Sequence, residues 1–363
     1  MNSVLARMGE RLAGAAIGAA ERGVSDAVVR AGMRAAIGHR LASERSRSDA
    51  ERDAWLDDWA NGAIALVPDE ANRQHYEVPP GFFELILGSR LKYSSCLWEL
   101  GDPTDSLDAA ELRMLDLTID GVGVSQPAGP ASGMRVLDLG CGWGSLSLRL
   151  AERLPTVSVL AVSNSAPQGD FIRARAEAAG LDNVEHRVVD VNDVGAALAG
   201  QRFDRVVSVE MLEHVRNHRR LFSEVAELLV PGGALYLHVF AHRDLFWPFD
   251  DDGQANWMAR HFFSGGVMPS RRLFAQVLGD DGPLRVERDR WFNGEHYALT
   301  LDAWLDRLDT ERDAVAAVLT PVYGADTERW IQRWRMFLMA CSELFGYADG
   351  TEWGVSHQLL RRG

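Results

Sequence analysis

The chain is 363 residues long, 47% hydrophobic and 25% charged, with 52 acidic against 38 basic side chains and a net charge of −14. This is the composition of an ordinary globular protein, and no apolar run approaches the roughly 18 residues that a membrane span requires. Residues 1–50 carry eight Arg and five acids, a net +3, so the remainder carries −17; an acidic body of this kind disfavours nucleic acid and anionic surfaces and suits a cationic small molecule.

In chain order, residues 3–60 show helical periodicity in three pieces: Val4, Met8, Leu12 and Ile17; then Val28, Met33, Ile37 and Leu41; then Ala54 through Trp59. Arg7, Glu10, Arg11, Glu21 and Arg22 interrupt any signal-peptide core. Cys96, Cys141 and Cys341 are few and scattered, as expected of a cytoplasmic protein, and no Cys/His pair has zinc spacing, so no metal is expected. Pro79-Pro80 precedes a short helix from Phe82 to Leu87, and Gly121 to Gly133 reads as a linker. From Met134, strands at 134–138, 157–162, 184–189, 204–209 and 234–241 alternate with helices, broken at Gly180 and at Pro231-Gly232-Gly233. This alternation predicts a mostly parallel sheet covered on both faces. Beyond it come helices at Ser270–Leu278, Leu301–Arg312 and Thr327–Phe345, and strands at Leu284–Trp291 and Trp353–Leu360.

The most informative run is Val136-Leu-Asp-Leu-Gly-Cys-Gly-Trp-Gly-Ser-Leu146. A strand ends in Asp138, then Gly140, Gly142 and Gly144 lead into a helix. Glycines allow the sharp turn and a close ligand approach, and the helix start offers free N–H groups. NAD-binding folds carry a similar loop. Two details favour S-adenosylmethionine: Asp138 lies inside the motif, and the next strand ends in Val162-Ser-Asn-Ser165, with no acid to grip the ribose of NAD. Ligands of such sheets sit at the carboxyl ends of the strands, where Asp190 and Glu210 also fall.

After the fourth strand comes Glu210-Met-Leu-Glu-His214. Spacing of i, i+3, i+4 would place Glu210, Glu213 and His214 on one face of a helical turn. Two carboxylates and an imidazole can hold an ammonium and take its proton.

Several segments together resemble a known family: His75-Tyr-Glu-Val-Pro79, Leu91-Lys-Tyr-Ser-Ser-Cys96, the glycine loop, Ser163-Asn-Ser165 with Gln168, Glu210 to His214, His261 to Gly266 with Met268-Pro-Ser270, Asn293-Gly-Glu-His-Tyr297, and Glu343-Leu-Phe-Gly-Tyr347. They are similar, from about residue 25 onward, to the coclaurine N-methyltransferases, a branch of the cyclopropane-fatty-acid-synthase superfamily. The resemblance implies an α/β fold with a Rossmann-like class I methyltransferase core, an N-terminal helical part and a C-terminal helical lid. We expect helices over 1–125, the S-adenosylmethionine-binding core over 126–245, and lid helices with the last strands over 246–363. Tyr93, Ser94, Asp138, Gly140, Gly142, Gly144, Asn164, Gln168, Asp190 and Val191 would bind the cofactor. Glu77, Glu210, His238, Phe262 and Tyr297 would line the substrate site, and His214, Glu213 and Glu210 would be catalytic. Trp247, Phe249, Trp257 and Trp291 are further candidates for its walls.

Two positions depart from the lipid-modifying branch. Those enzymes resemble Tyr-Ser-Cys where this chain has Tyr93-Ser94-Ser95, their Cys helping to hold a bicarbonate base, and they usually show Gly in place of Glu210. An extra carboxylate suits an ammonium and is costly against an alkene. The reading is therefore an N-methyltransferase of a small cyclic or aromatic-bearing amine. The alternatives are a cyclopropane synthase or fatty-acyl C-methyltransferase, for which the basic N-terminal helices could touch a membrane, and a cofactor-binding protein without catalysis. A homodimer is within its range.

Overall fold

The computed structural model describes residues 17–21, 23–67, 78–124, 133–249, 257–258 and 262–363. The first helical stripe therefore lies mostly outside the described residues, as does Glu77. The N-terminal part includes, among the described residues, α1 (Asp26–Arg45), α2 (Asp49–Ala60), α3 (Pro80–Ile86) and α4 (Leu107–Val122). The start of α2 is set by a capping box, in which Ser48 Oγ accepts from Glu51 N and Glu51 Oε2 accepts from Ser48 N. Ser106 caps α4 with its hydroxyl alone, accepting from Ala109 N, and Gly123, at φ 74°, ends it in the left-handed conformation. α4 lies inside the region expected to be helical, without a stretch of its own picked out there, and its end occupies Gly121 and Val122, the first residues of the anticipated linker.

The alternating region follows as β1 (Arg135–Leu139), α5 (Ser145–Arg153), β2 (Ser158–Ser163), α6 (Ala166–Ala178), β3 (Val184–Val188), α7 (Val194–Ala197), β4 (Phe203–Val209), α8 (His218–Leu228) and β5 (Leu229–His242). After the short pair β6 (Trp247–Pro248) and β7 (Val267–Met268) come α9 (Leu273–Leu278), β8 (Leu284–Asn293), α10 (Glu295–Thr310), α11 (Arg312–Tyr323), α12 (Thr327–Phe345) and β9 (Trp353–Arg362). The sheet runs β3-β2-β1-β4-β5-β9-β8. Its first five strands are parallel, and β9 and β8 are each antiparallel to the neighbour before them.

Strand residues of opposite parity feed opposite faces. Val136, Val159 and Val207 meet Leu115 and Ile119 of α4 and Leu146 and Leu150 of α5 on one side. Leu137, Leu160, Val206 and Leu235 meet Leu221, Phe222 and Val225 of α8 on the other. The expected break at Pro231-Gly232-Gly233 is instead part of β5. Phe203 pairs with Leu229 and Arg205 with Ala234, so the extra residues are absorbed as an irregularity in the ladder.

A helical layer of α1, α3, α10, α11 and α12 packs about Phe82, Phe83, Trp304, Trp334 and Phe337. It reaches the glycine loop where Phe83 lies 5.2 Å from Trp143, ring to ring. Charged pairs bind α1 to the later helices: Arg30 to Asp302 at 2.7 Å, Arg34 to Glu343 at 2.6 Å, and Arg335 to Asp26 at 2.7 Å.

Trp334 is fully buried and touches Phe82, Phe83, Phe262 and Phe337. Trp334→Ala should therefore cost about 3–5 kcal/mol, read as a lowered denaturant midpoint.

Candidate active site

A cavity opens at the carboxyl ends of the parallel strands, where such sheets leave room for a ligand. Gly140 and Gly142 line it after β1, Asn164 and Gln168 after β2, Val191 after β3, and Glu210, Met211 and His214 after β4. The loop needs glycine at two of these positions for different reasons. A Cβ on Gly140 (φ 85°) would lie 2.5 Å from Met211 Cγ, so the loop packs directly on the turn after β4. A Cβ on Gly142 (φ 53°) would meet no protein atom within 4 Å, because that side of the loop faces open space.

Gln168 is 1% exposed, and its Nε2 has no hydrogen-bond partner among the described residues. A buried amide donor beside a glycine cradle and a helix start fits the polar oxygens of S-adenosylmethionine. The other expected cofactor residues stand back from the cavity. Asp138 accepts from Ser147 Oγ at 2.5 Å, bracing the start of α5, and burial pushes its pKa up to about 6. Gly144 ends the loop against Ile172. Asp190 caps the turn Val191–Asp193, accepting from Asn192 N at 2.8 Å. Tyr93 packs between Phe83 and Trp304, and Ser94 Oγ accepts from Lys92 Nζ at 2.6 Å.

Glu210 lines the same cavity from the end of β4. The expected shared helical face is not formed: Glu210 has φ 46°, and only Leu212–His214 makes a helical turn, a tight three-residue one. The left-handed residue turns the Glu210 side chain toward a nest of donors. Its Oε1 accepts from Ser95 N at 3.0 Å and lies 3.1 Å from His238 Nε2, and its Oε2 accepts from Tyr297 Oη at 2.5 Å. Burial raises the Glu210 pKa to about 7, opposed by the Lys92 ammonium and by the Ser95 and Tyr297 hydrogen bonds. His238 and Tyr297 are thus both brought against Glu210.

Glu213 is fully buried. Its Oε1 accepts from Phe240 N at 2.7 Å, and its Oε2 has no hydrogen-bond partner among the described residues. Burial and the neighbouring Glu210 push this carboxyl well above the usual range. His214 stacks on Phe263, ring centroids 4.5 Å apart, and Phe263 also meets Phe240 and Phe249. Phe262, the expected wall residue, packs instead into the helical layer on Phe337 and Trp334. Trp257 joins it there, Trp247 packs on Trp353, and Trp291 lies under Arg271.

Sequence reasoning passed over Ser95 N–H, Phe240, Phe263 and Lys92. The last carried a readable signal, because Lys92 is the single lysine among the 38 basic residues. It is 1% exposed and donates to Ser94 Oγ and Ser95 O, each at 2.6 Å. Burial lowers its pKa, while Cys96, Glu210 and Glu111 act in the opposite direction. Glu111 of α4 holds the same segment by accepting from the N–H groups of Gly88, Arg90 and Lys92. The neighbouring Cys96 thiol is pushed up to about 12 by burial, so it is an inert core group.

Comparison with known proteins gives the chain's family and its relatives. Residues 67–351 match the mycolic acid cyclopropane synthetase family. An (S)-coclaurine N-methyltransferase of Thalictrum flavum subsp. glaucum is 30% identical over 304 residues, covering 82% of this chain and 80% of that protein. The cyclopropane-fatty-acyl-phospholipid synthase of Escherichia coli (strain K12) is also 30% identical, over 78% of this chain and 66% of its own. Among solved structures, a coclaurine N-methyltransferase bound to N-methylheliamine and SAH superimposes with a TM-score of 0.84, at 27% identity, over 93% of this chain and 96% of that one.

The cradle has a direct test. In Gly142→Val a β-branched side chain would be forced into left-handed backbone and into the open space of the loop, so S-adenosylmethionine affinity should fall at least about tenfold. Calorimetry on the folded variant measures it, and an unchanged affinity would remove the loop from the cofactor site.

Proposed function

The chain belongs to the mycolic acid cyclopropane synthetase family and is an S-adenosylmethionine-dependent methyltransferase; from that premise we propose that it methylates the nitrogen of a small cyclic or aromatic-bearing amine. The observation that carries this reading is the Glu210 carboxylate in its nest of donors. Ser95 N–H, Tyr297 O–H and the His238 ring surround the position, and Glu210 supplies the anion they hold. A free anion such as bicarbonate would compete with a carboxylate already there and be repelled by it. The same carboxylate attracts an ammonium, beside an aromatic wall of Phe240, Phe249 and Phe263.

S-adenosylmethionine, when bound, supplies an activated methyl group. The chain's residues then have two tasks: alignment of the acceptor nitrogen and management of its proton. Gly140, Gly142, Asn164, Gln168 and Val191 would hold the cofactor, with Glu210 close by on the same cavity wall. Glu210 would fix the amine's charge. His214 would take its proton, with Glu213 beside it in sequence to orient the ring. Glu213 suits that assisting role because its Oε2 has no partner among the described residues.

The reading is tested by screening amines and unsaturated phospholipid vesicles with labelled cofactor, with and without bicarbonate. Methyl transfer to an amine, indifferent to bicarbonate, is expected. Bicarbonate-dependent ring formation on lipid would replace this function with that of the lipid branch.

Two substitutions separate the roles. His214→Ala should lower turnover by about 10²–10⁴, with partial recovery at higher pH, where more free amine is already neutral. Glu210 binds the ammonium only when ionised, so apparent amine affinity should weaken as pH falls through about 7. Glu210→Gln should raise KM above about pH 7, match the unaltered enzyme below it, and so abolish that limb, as steady-state kinetics would show.

A further inference from the structure

Behind Glu210 lies a buried chain of side chains that reaches well beyond the cavity. His238 on β5 and His357 on β9 are register partners in adjoining strands, and Tyr236 precedes His238 by two residues on the same face. His238 Nε2 lies 3.1 Å from Glu210 Oε1, and His238 Nδ1 lies 2.8 Å from His357 Nε2. His357 Nδ1 in turn lies 2.8 Å from the Tyr236 hydroxyl. That hydroxyl has no second hydrogen-bond partner among the described residues. The backbone of α4 closes it off, since a Cβ on Gly121 would fall 2.3 Å from its oxygen.

The direction of this chain follows link by link. Burial pushes both imidazoles well below their ordinary range, so each is neutral and carries one N–H. Burial raises the Tyr236 pKa, so its hydroxyl keeps its proton. That proton has His357 Nδ1 as its available acceptor, and pointing elsewhere would leave a buried donor unmet. His357 then carries its own proton on Nε2 and donates to His238 Nδ1. His238 therefore carries its proton on Nε2 and donates to Glu210.

From this geometry we propose that Tyr236 is a positioning residue: it fixes the tautomers of His357 and His238 so that Glu210 always receives an N–H and remains an ionised acceptor for the substrate's ammonium. The proposal rests on the reading of Glu210 as the amine-holding group. The reversed chain needs a protonated Glu210 donating to His238, and it strands the Tyr236 proton. Tyr236 thus makes protonation of Glu210 costlier from two residues away. The groups facing the chain are Lys92, Cys96, Glu213 and Cys341 at the Glu210 end. Arg290 faces His357, and Arg288 and Arg290 face Tyr236. Arg290 and Lys92 oppose any imidazolium at His357.

The test is nitrogen-15 NMR of the histidine-labelled full chain. His238→Gln and His357→Gln assign the two rings among the ten histidines. Both rings should be Nε2–H in the unaltered protein. In Tyr236→Phe both should become tautomer mixtures, and the acidic limb of kcat/KM for the amine should move up by about one pH unit. That is roughly a tenfold loss below the limb, with little loss on the plateau and unchanged affinity for S-adenosylmethionine. An Nδ1–H ring in the unaltered protein overturns the proposal, and so does a Tyr236→Phe variant whose tautomers or acidic limb stay put. A purely structural role would lower the melting temperature and move neither. If no amine is methylated, the function falls in the screen, while the tautomers are still read without substrate.

Discussion

A carboxylate taken out of water must be met by donors, or it will take up a proton. This constraint organises the site around Glu210. Its partners come from three separate parts of the chain: Ser95 from the segment between α3 and α4, Tyr297 from α10, and His238 from β5. Bringing them together requires the sheet, the helical layer and the 88–96 segment to close on one point. Glu111 secures that segment with three backbone hydrogen bonds, and Lys92 pins it from inside. The left-handed backbone at Glu210 is the local cost of aiming the carboxylate into the nest.

The two halves of the cavity divide the labour by chemistry. The glycine loop and Gln168 present neutral surface and backbone, suited to a ligand that brings its own charge. The Glu210, Glu213 and His214 end presents titratable groups against aromatic rings. Met211 joins them, since it packs on Gly140 and lies between the two carboxylates in sequence. A shift in the turn after β4 would therefore disturb both halves of the cavity together.

Local pattern carried the parallel strands, the glycine loop and the residues after β2 into the sequence reading, because each depends on near neighbours. The partners of Glu210 were legible only in part. His238 and Tyr297 came through family resemblance, whereas Ser95 acts through its backbone N–H, which no side-chain motif reveals. Phe262 and Phe263 are adjacent, and only the backbone decides which one faces His214. Helical spacing misplaced Glu210, because the end of β4 turns left-handed before a helix can form. His357 pairs with His238 across 119 residues of sequence, a contact that strand register alone establishes. The helices α4 and α11 were not picked out individually, α4 leading straight into the stretch read as a linker and α11 carrying Pro321 inside it.

Lys92 has one more consequence. Since the chain's only lysine is buried, every other basic side chain is a guanidinium or an imidazole. Guanidinium stays charged far into alkali. The pairs that hold α1 to the later helices, Arg30 with Asp302, Arg34 with Glu343 and Arg335 with Asp26, are all of this kind. The scaffold therefore keeps its fastenings through the very range of basicity in which aliphatic amines shed their protons and become nucleophiles. The framework and the proposed amine acceptor would respond to alkali on separate scales.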